Sequence, residues 1–196
     1  AYFGRLYRGK GLEYLLEAFK AVHADNPATR LAIIGGPTPP AWHGDTWSVD
    51  QLHEQARDLK IDHAVSWTGE FPFDSDIGST YLRAADFAVL PFDWGSALNN
   101  SSLAACASHG LPVITTRRDI DDPELIDGKN VLLCPPKDAA ALEAAMRRLL
   151  ADPALTQRLR EGANDLTQRH FSWATSVERT VYVFAGAPAK NVQTAA

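Results

Sequence analysis

The sequence predicts a doubly wound α/β fold: a mostly parallel six-stranded sheet with helices on both faces. Three observations lead there. Short apolar runs recur along the chain, stretches with helical spacing separate them, and the runs are apolar throughout rather than alternating. A strand without alternation is one covered on both faces, and strand–helix alternation is the pattern of parallel sheets. The length, 196 residues, suits one domain of this kind, and 45% apolar with 22% charged residues is an ordinary globular composition.

The elements follow in order. Ala1-Tyr2-Phe3-Gly4 reads as the end of a first strand, so a further domain is expected upstream. Leu12, Leu15, Leu16, Phe19, Val22 and His23 recur at i, i+3, i+4, i+7 and predict a helix. Leu31 to Ile34 is the second strand, bounded by Gly35-Gly36-Pro37. Residues 37 to 47, with three prolines and two tryptophans, read as a loop. Its Trp42, His43 and Trp47 are expected to pack against the upstream domain, with closure over an acceptor as the alternative. A helix is expected over Val49 to Lys60 and a strand over Ala64 to Thr68, closed by Gly69. Next come a helix from Asp76 to Ala85 and a strand from Asp86 to Leu90, stopped by Pro91.

A small-residue helix spans Asn100 to His109, with Gly110 just past its end and Pro112 preventing continuation. Val113 to Thr115 and Val131 to Cys134 are the last two strands. Leu142, Ala145, Met146, Leu149 and Leu150 mark another helix. Asp152-Pro153 then places a cap and a first-turn proline at the start of a helix reaching Gln168. Ser172 caps a final helix to Phe184. The domain is therefore expected over residues 1 to 185, with 186 to 196 as a flexible tail.

Composition excludes several functions. With 19 Lys+Arg against 24 Asp+Glu, the net charge is −5, which disfavours a nucleic-acid partner. Cys106 and Cys134 lie in apolar stretches and read as reduced core thiols, which makes a cytoplasmic location the expectation. No stretch approaches the roughly 18 apolar residues of a membrane span. The six histidines lack zinc spacing, so no metal site is expected. Asp74-Ser75-Asp76 precedes a helix and reads as a cap rather than a metal motif. Asp122 likewise reads as the cap of a helix begun by Pro123.

In a doubly wound sheet, ligands bind where strands end and helices begin. The first such turn, Gly4-Arg5-Leu6-Tyr7-Arg8-Gly9-Lys10-Gly11, opens a helix whose free N–H groups favour an anion. Arg5 and Lys10 add two cations. A guanidinium grips phosphate bidentately and an ammonium meets it as a point charge. The spacing matches neither a Walker loop nor the dinucleotide fingerprint Gly-x-Gly-x-x-Gly, which disfavours a nicotinamide cofactor. The fourth turn ends in Asn99-Asn100-Ser101-Ser102, where side chains cap the next helix and its N–H groups offer a second phosphate contact. Capping alone also explains those residue types.

Gly4-Arg5-Leu6, Lys10-Gly11, Ile33-Ile34-Gly35-Gly36, Trp67-Thr68-Gly69, Tyr81 to Asp86, Val89-Leu90-Pro91, His109 to Thr115, Pro123-Glu124-Leu125 and Asp127-Gly128-Lys129-Asn130 stand together in order and register. In this set the chain resembles the C-terminal, donor-binding half of family 4 (group 1) glycosyltransferases, over about residues 2 to 184. The resemblance implies one of the two facing Rossmann-like domains of the GT-B fold, with the acceptor domain upstream. It implies transfer of a sugar from a UDP- or GDP-sugar, with retention and without metal or cofactor, the nucleotide sugar being substrate. Arg5 and Lys10 match the cations that neutralise the leaving diphosphate. Gly4, Gly36 and Asn99, Asn100, Ser101 and Ser102 match the surrounding phosphate cradle. The segment after Gly69, Glu70 to Phe73, matches the region near the base, with Gly69, Glu70 and Phe71 as candidate contacts.

The family's Glu-x7-Glu reads Ala97 and Ala105 here. One of those glutamates lies near the donor sugar and the other holds the ribose. Asp93 or Asn99 is the candidate substitute. The resemblance further implies that this chain alone binds donor without turnover, and that any peripheral membrane contact runs through the upstream half. The alternatives are a non-catalytic nucleotide-binding or regulatory module, and an epimerase or phosphorylase of the same two-domain fold.

Overall fold

The computed structural model describes residues 1–38 and 48–185. The tail from 186 and most of the 37–47 loop, with Trp42, His43 and Trp47, lie outside the described residues. The strands are β1 (Tyr2–Phe3), β2 (Leu31–Ile34), β3 (Val65–Trp67), β4 (Ala88–Leu90), β5 (Val113–Thr116) and β6 (Leu132–Cys134). The helices are α1 (Leu12–Asp25), α2 (Val49–Asp58), α3 (Ile77–Ala84), α4 (Ser101–Ser108), α5 (Ala139–Ala151), α6 (Pro153–Leu166) and α7 (Trp173–Phe184).

All strand ladders are parallel, and the fold is α/β and Rossmann-like. The expected single six-stranded sheet is instead two three-stranded sheets, β1-β2-β3 and β4-β5-β6. The two sheets meet at a seam between β1 and β4. The Ala1 amine donates to the Phe87 carbonyl at 2.8 Å, and the Val89 N–H donates to the Ala1 carbonyl at 2.8 Å. Across that seam the order reads β3-β2-β1-β4-β5-β6, and the carboxyl ends of all six strands share one rim.

Every residue of β4 and β5 is buried, as strands covered on both sides must be. α1 packs against α2 and α5, while α4 packs against α6. Helix starts follow local chemistry. The side chains of Asn100, Asp138, Asp152 and Ser172 accept the N–H of Leu103, Ala141, Leu155 and Thr175.

Three local expectations are corrected. Asp76 stands at the start of α3, but its side chain makes no cap bond. Pro123 opens a turn rather than a helix, because Asp122 divides its carboxylate between the Glu124 N–H (3.1 Å) and the distant Leu98 N–H (3.0 Å). The helix expected to reach Gln168 ends at Leu166 and runs into a π-helical turn, Thr167–Phe171.

Candidate functional site

The first turn continues the β1 ladder alongside the end of β2. Gly4 N–H donates to the Ile34 carbonyl (3.0 Å), Leu6 N–H to Gly36 (2.9 Å) and Thr38 N–H to Leu6 (3.0 Å). At the next boundary the Gly35 N–H is taken by the Thr68 hydroxyl at 3.0 Å. The turns after β1, β2 and β3 are thus stitched edge to edge. Backbone pairing, reinforced by the Thr68 hydroxyl, sets Gly4, Gly36 and Glu70 side by side. A Cβ on Gly36 would fall 2.7 Å from the Glu70 Cβ, and one on Gly4 would fall 2.6 Å from the Ser102 hydroxyl. Hence the first turn lies directly on the opening residues of α4.

The two candidate cations lean to opposite neighbours. Arg5 Nη1 meets Glu70 Oε1 at 2.9 Å, and both side chains are more than half exposed (56% and 66%). Such a pair contributes little and parts readily. Lys10 reaches the other way. Its ammonium sits 4.6 Å from the Tyr7 ring centroid and 4.4 Å from that of Phe92, held by two π faces. It has no carboxylate partner among the described residues. Arg8 is exposed.

The fourth turn is tied from beneath. Thr115 Oγ1 donates to the Leu90 carbonyl (2.9 Å), so its one proton is used and Ser96 Oγ must donate to it, at 2.5 Å. Thr116 Oγ1 donates to the Phe92 carbonyl (2.5 Å), and the Ser96 N–H to the Thr116 carbonyl (3.0 Å). Above this floor, Asn99 and Ser101 are exposed, Asn100 caps α4, and Ser102 is buried under Gly4. Phe71 is half-buried against Gly78 of α3, so only part of its ring faces the rim. Ala97 and Ala105 are both half-buried and carry no polar side chain.

Burial, the largest influence, raises the carboxyl of Glu13 in the first turn of α1, and the charge of Asp93 adds to it. His109 is a structural link: its Nε2 pairs with Ser79 Oγ (2.8 Å) and its Nδ1 with the Ala105 carbonyl (2.8 Å). Among the described residues no three His, Cys, Asp or Glu side chains are grouped to hold a metal ion, and no helix is long and apolar enough to cross a membrane.

The structure therefore brings Gly4 to Ser102, and Arg5 and Gly36 to Glu70. It brings Lys10 to no other candidate. Sequence reasoning missed Tyr7 and Phe92 as the cage of Lys10. An aromatic residue in each of two rim turns was the available signal.

This arrangement of rim turns has counterparts. A family model described as "Glycosyl transferases group 1" matches residues 1–152. The chain belongs to that family. Among group 1 relatives, the glycogen synthase of Mycobacterium tuberculosis is 30% identical over 186 residues, covering 95% of this chain and 42% of that protein. The C-terminal domain of a group 1 glycosyl transferase (LpcC) from Francisella tularensis superposes with a TM-score of 0.73 at 20% identity, covering 88% of this chain and 85% of the other. Anabaena Alr3699/HepE, solved in complex with UDP-glucose, gives 0.77 at 20% identity over 94% of this chain and 48% of that one. At such identities the two solved structures speak for the fold alone. The group 1 chain described here spans about two fifths of the length of the curated relatives it matches.

Proposed function

We propose that residues 1 to 185 form the donor-binding half of a glycosyltransferase that moves a sugar from a nucleoside diphosphate sugar to an acceptor held by a second, upstream domain. The observation that carries this reading is the seating of Gly4 on Ser102. That contact sets the first turn, which also carries Arg5 and Lys10, against the N-terminus of α4.

In this reading the diphosphate lies between the first turn and α4. Lys10 meets it through Nζ, and Arg5 leaves Glu70 to join. Charge that grows on the departing diphosphate is stabilised by these cations and by oriented N–H groups. No step in this scheme calls for a metal, and the sugar is transferred with retention. Glu70 and Phe71, next to Gly36 and Gly69, face the nucleoside. The Anabaena complex with UDP-glucose supports a uridine nucleotide, and GDP is the other base to test. The chain alone binds donor without transfer, since the acceptor site belongs to the upstream half.

A charged hydrogen bond contributes about 1.5–3 kcal/mol, so Lys10→Ala is expected to weaken UDP or GDP binding by about one to two powers of ten. Calorimetric titration of both nucleotides into the two chains is the test. Equal affinities would remove Lys10 and this reading of the turn.

A second reading, a non-catalytic nucleotide-sugar-binding module, is favoured by Ala97 and Ala105, which offer no acceptor where the family places two glutamates. Sugar transfer or donor hydrolysis by the full-length protein separates the two. A protein that binds donor and turns nothing over is such a module.

A further inference from the structure

The rim beyond the phosphate turn carries Trp94 after β4 and Lys137 after β6, which the donor reading leaves unused, beside Asp93, the candidate substitute for a missing glutamate. We propose that they form a platform for the hexose ring of the nucleotide sugar, with Trp94 as its stacking surface. The proposal rests on the donor-binding reading and assigns the residues that hold the sugar within it.

Strand order gives the first argument. Along the rim, β3 and β2 bring Glu70 and Gly36, β1 brings the cations, and β4 follows across the seam. A nucleoside toward β3 and a diphosphate at β1 leave the next unit, the sugar, at β4. Trp94 is 79% exposed there. It is fixed on a hydrogen-bonded turn, with the Asp93 N–H donating to the Gly9 carbonyl at 3.0 Å and the Gly95 N–H to Phe92 at 3.1 Å. Its indole Nε1 lies over Gly9, 3.2 Å from where a Cβ would stand. The sugar platform thus adjoins the phosphate turn.

The second argument is the placement of Lys137. It lies on the turn before the cap of α5, and its ammonium stands 3.7 Å from Asp93 Oδ2 and 5.6 Å from the Trp94 ring centroid.

The third is an orphaned acceptor. The Asp93 side chain is 12% exposed, and its Oδ1 is buried without a hydrogen-bond partner. A buried oxygen of this kind calls for an explanation. A pyranose has an apolar C–H face and a belt of hydroxyls. An exposed indole flanked by a carboxylate and an ammonium matches both.

Saturation-transfer NMR with UDP-glucose tests this on the 196-residue chain, with GDP-mannose as the guanine counterpart. The wild-type chain is expected to saturate base and hexose protons alike. Trp94→Ala should keep the base signal and lower the hexose signal at least threefold, and Trp94→Phe should restore most of it. An unchanged hexose-to-base ratio in Trp94→Ala, or equal loss of both signals, overturns the platform while donor binding stands. Absence of base signal from both nucleotides in the wild-type chain refutes donor binding itself, and the platform falls with it.

Discussion

Gly11 and Gly69 form a natural pair for testing how the first turn is held. Both have φ of 67°, so alanine strains the backbone equally at each. Their surroundings differ. A Cβ on Gly69 meets nothing within 4 Å, whereas one on Gly11 falls 1.8 Å from the Pro91 carbonyl oxygen. Left-handed strain alone costs about 1–2 kcal/mol and is the expected loss for Gly69→Ala. Gly11→Ala must also drive the first and fourth turns apart by more than about 1 Å. The bond from Asp93 N–H to the Gly9 carbonyl spans those two turns, and its loss costs about 1 kcal/mol before any packing is counted. We expect Gly11→Ala to lose about 2 kcal/mol more than Gly69→Ala, a gap of about 4–8 °C in Tm for a chain of this size. Urea denaturation and calorimetry of the two variants are the assay. Equal losses would mean that the turns are not packed as described.

Other outcomes follow from burial and pairing. Burial pushes the Cys106 thiol up to about 12 and the Cys134 thiol up to about 11, so at pH 8 neither should react with a thiol reagent until the chain unfolds. Rapid labelling of the native protein would contradict that. A hydrogen bond from Arg169, followed by the charge of His170, holds the Glu124 carboxyl below its usual value against the opposing effect of burial. A carboxyl lowered on folding stabilises above its unfolded pKa, and that contribution fades as pH falls through the folded value. Glu124→Gln should therefore cost under about 1 kcal/mol at pH 7, because the pair is about one-third exposed, and progressively less below about pH 4. A cost that grows on acidification would reverse the sign and refute the pairing.

What the sequence disclosed was local. The stripe from Leu12 to Val22, the Asp152-Pro153 start and the Gly110 stop each depend on neighbours within one or two turns, and each stands where expected. The glycines and cations of the first turn were visible for the same reason, packed into eight positions. Partners remote in the chain were not legible. Glu70 lies 65 residues from Arg5, and Phe92 is still further along the chain from Lys10. Asp122 had a local reading as a cap, yet one of its oxygens is claimed by Leu98, 24 residues earlier.

The hydroxyls of Ser96, Thr115 and Thr116, hydrogen-bonded in toward the carbonyls of Leu90 and Phe92, have a consequence for the proposed donor recognition. The loop above them is already immobilised when the polypeptide folds, so a visiting molecule finds a finished surface rather than one it must organise. Little conformational freedom remains to be lost there on capture, and discrimination falls to the side chains that project from it. Replacing either threonine by valine would keep the shape and remove the anchoring, loosening this loop without touching a single group that faces the visitor.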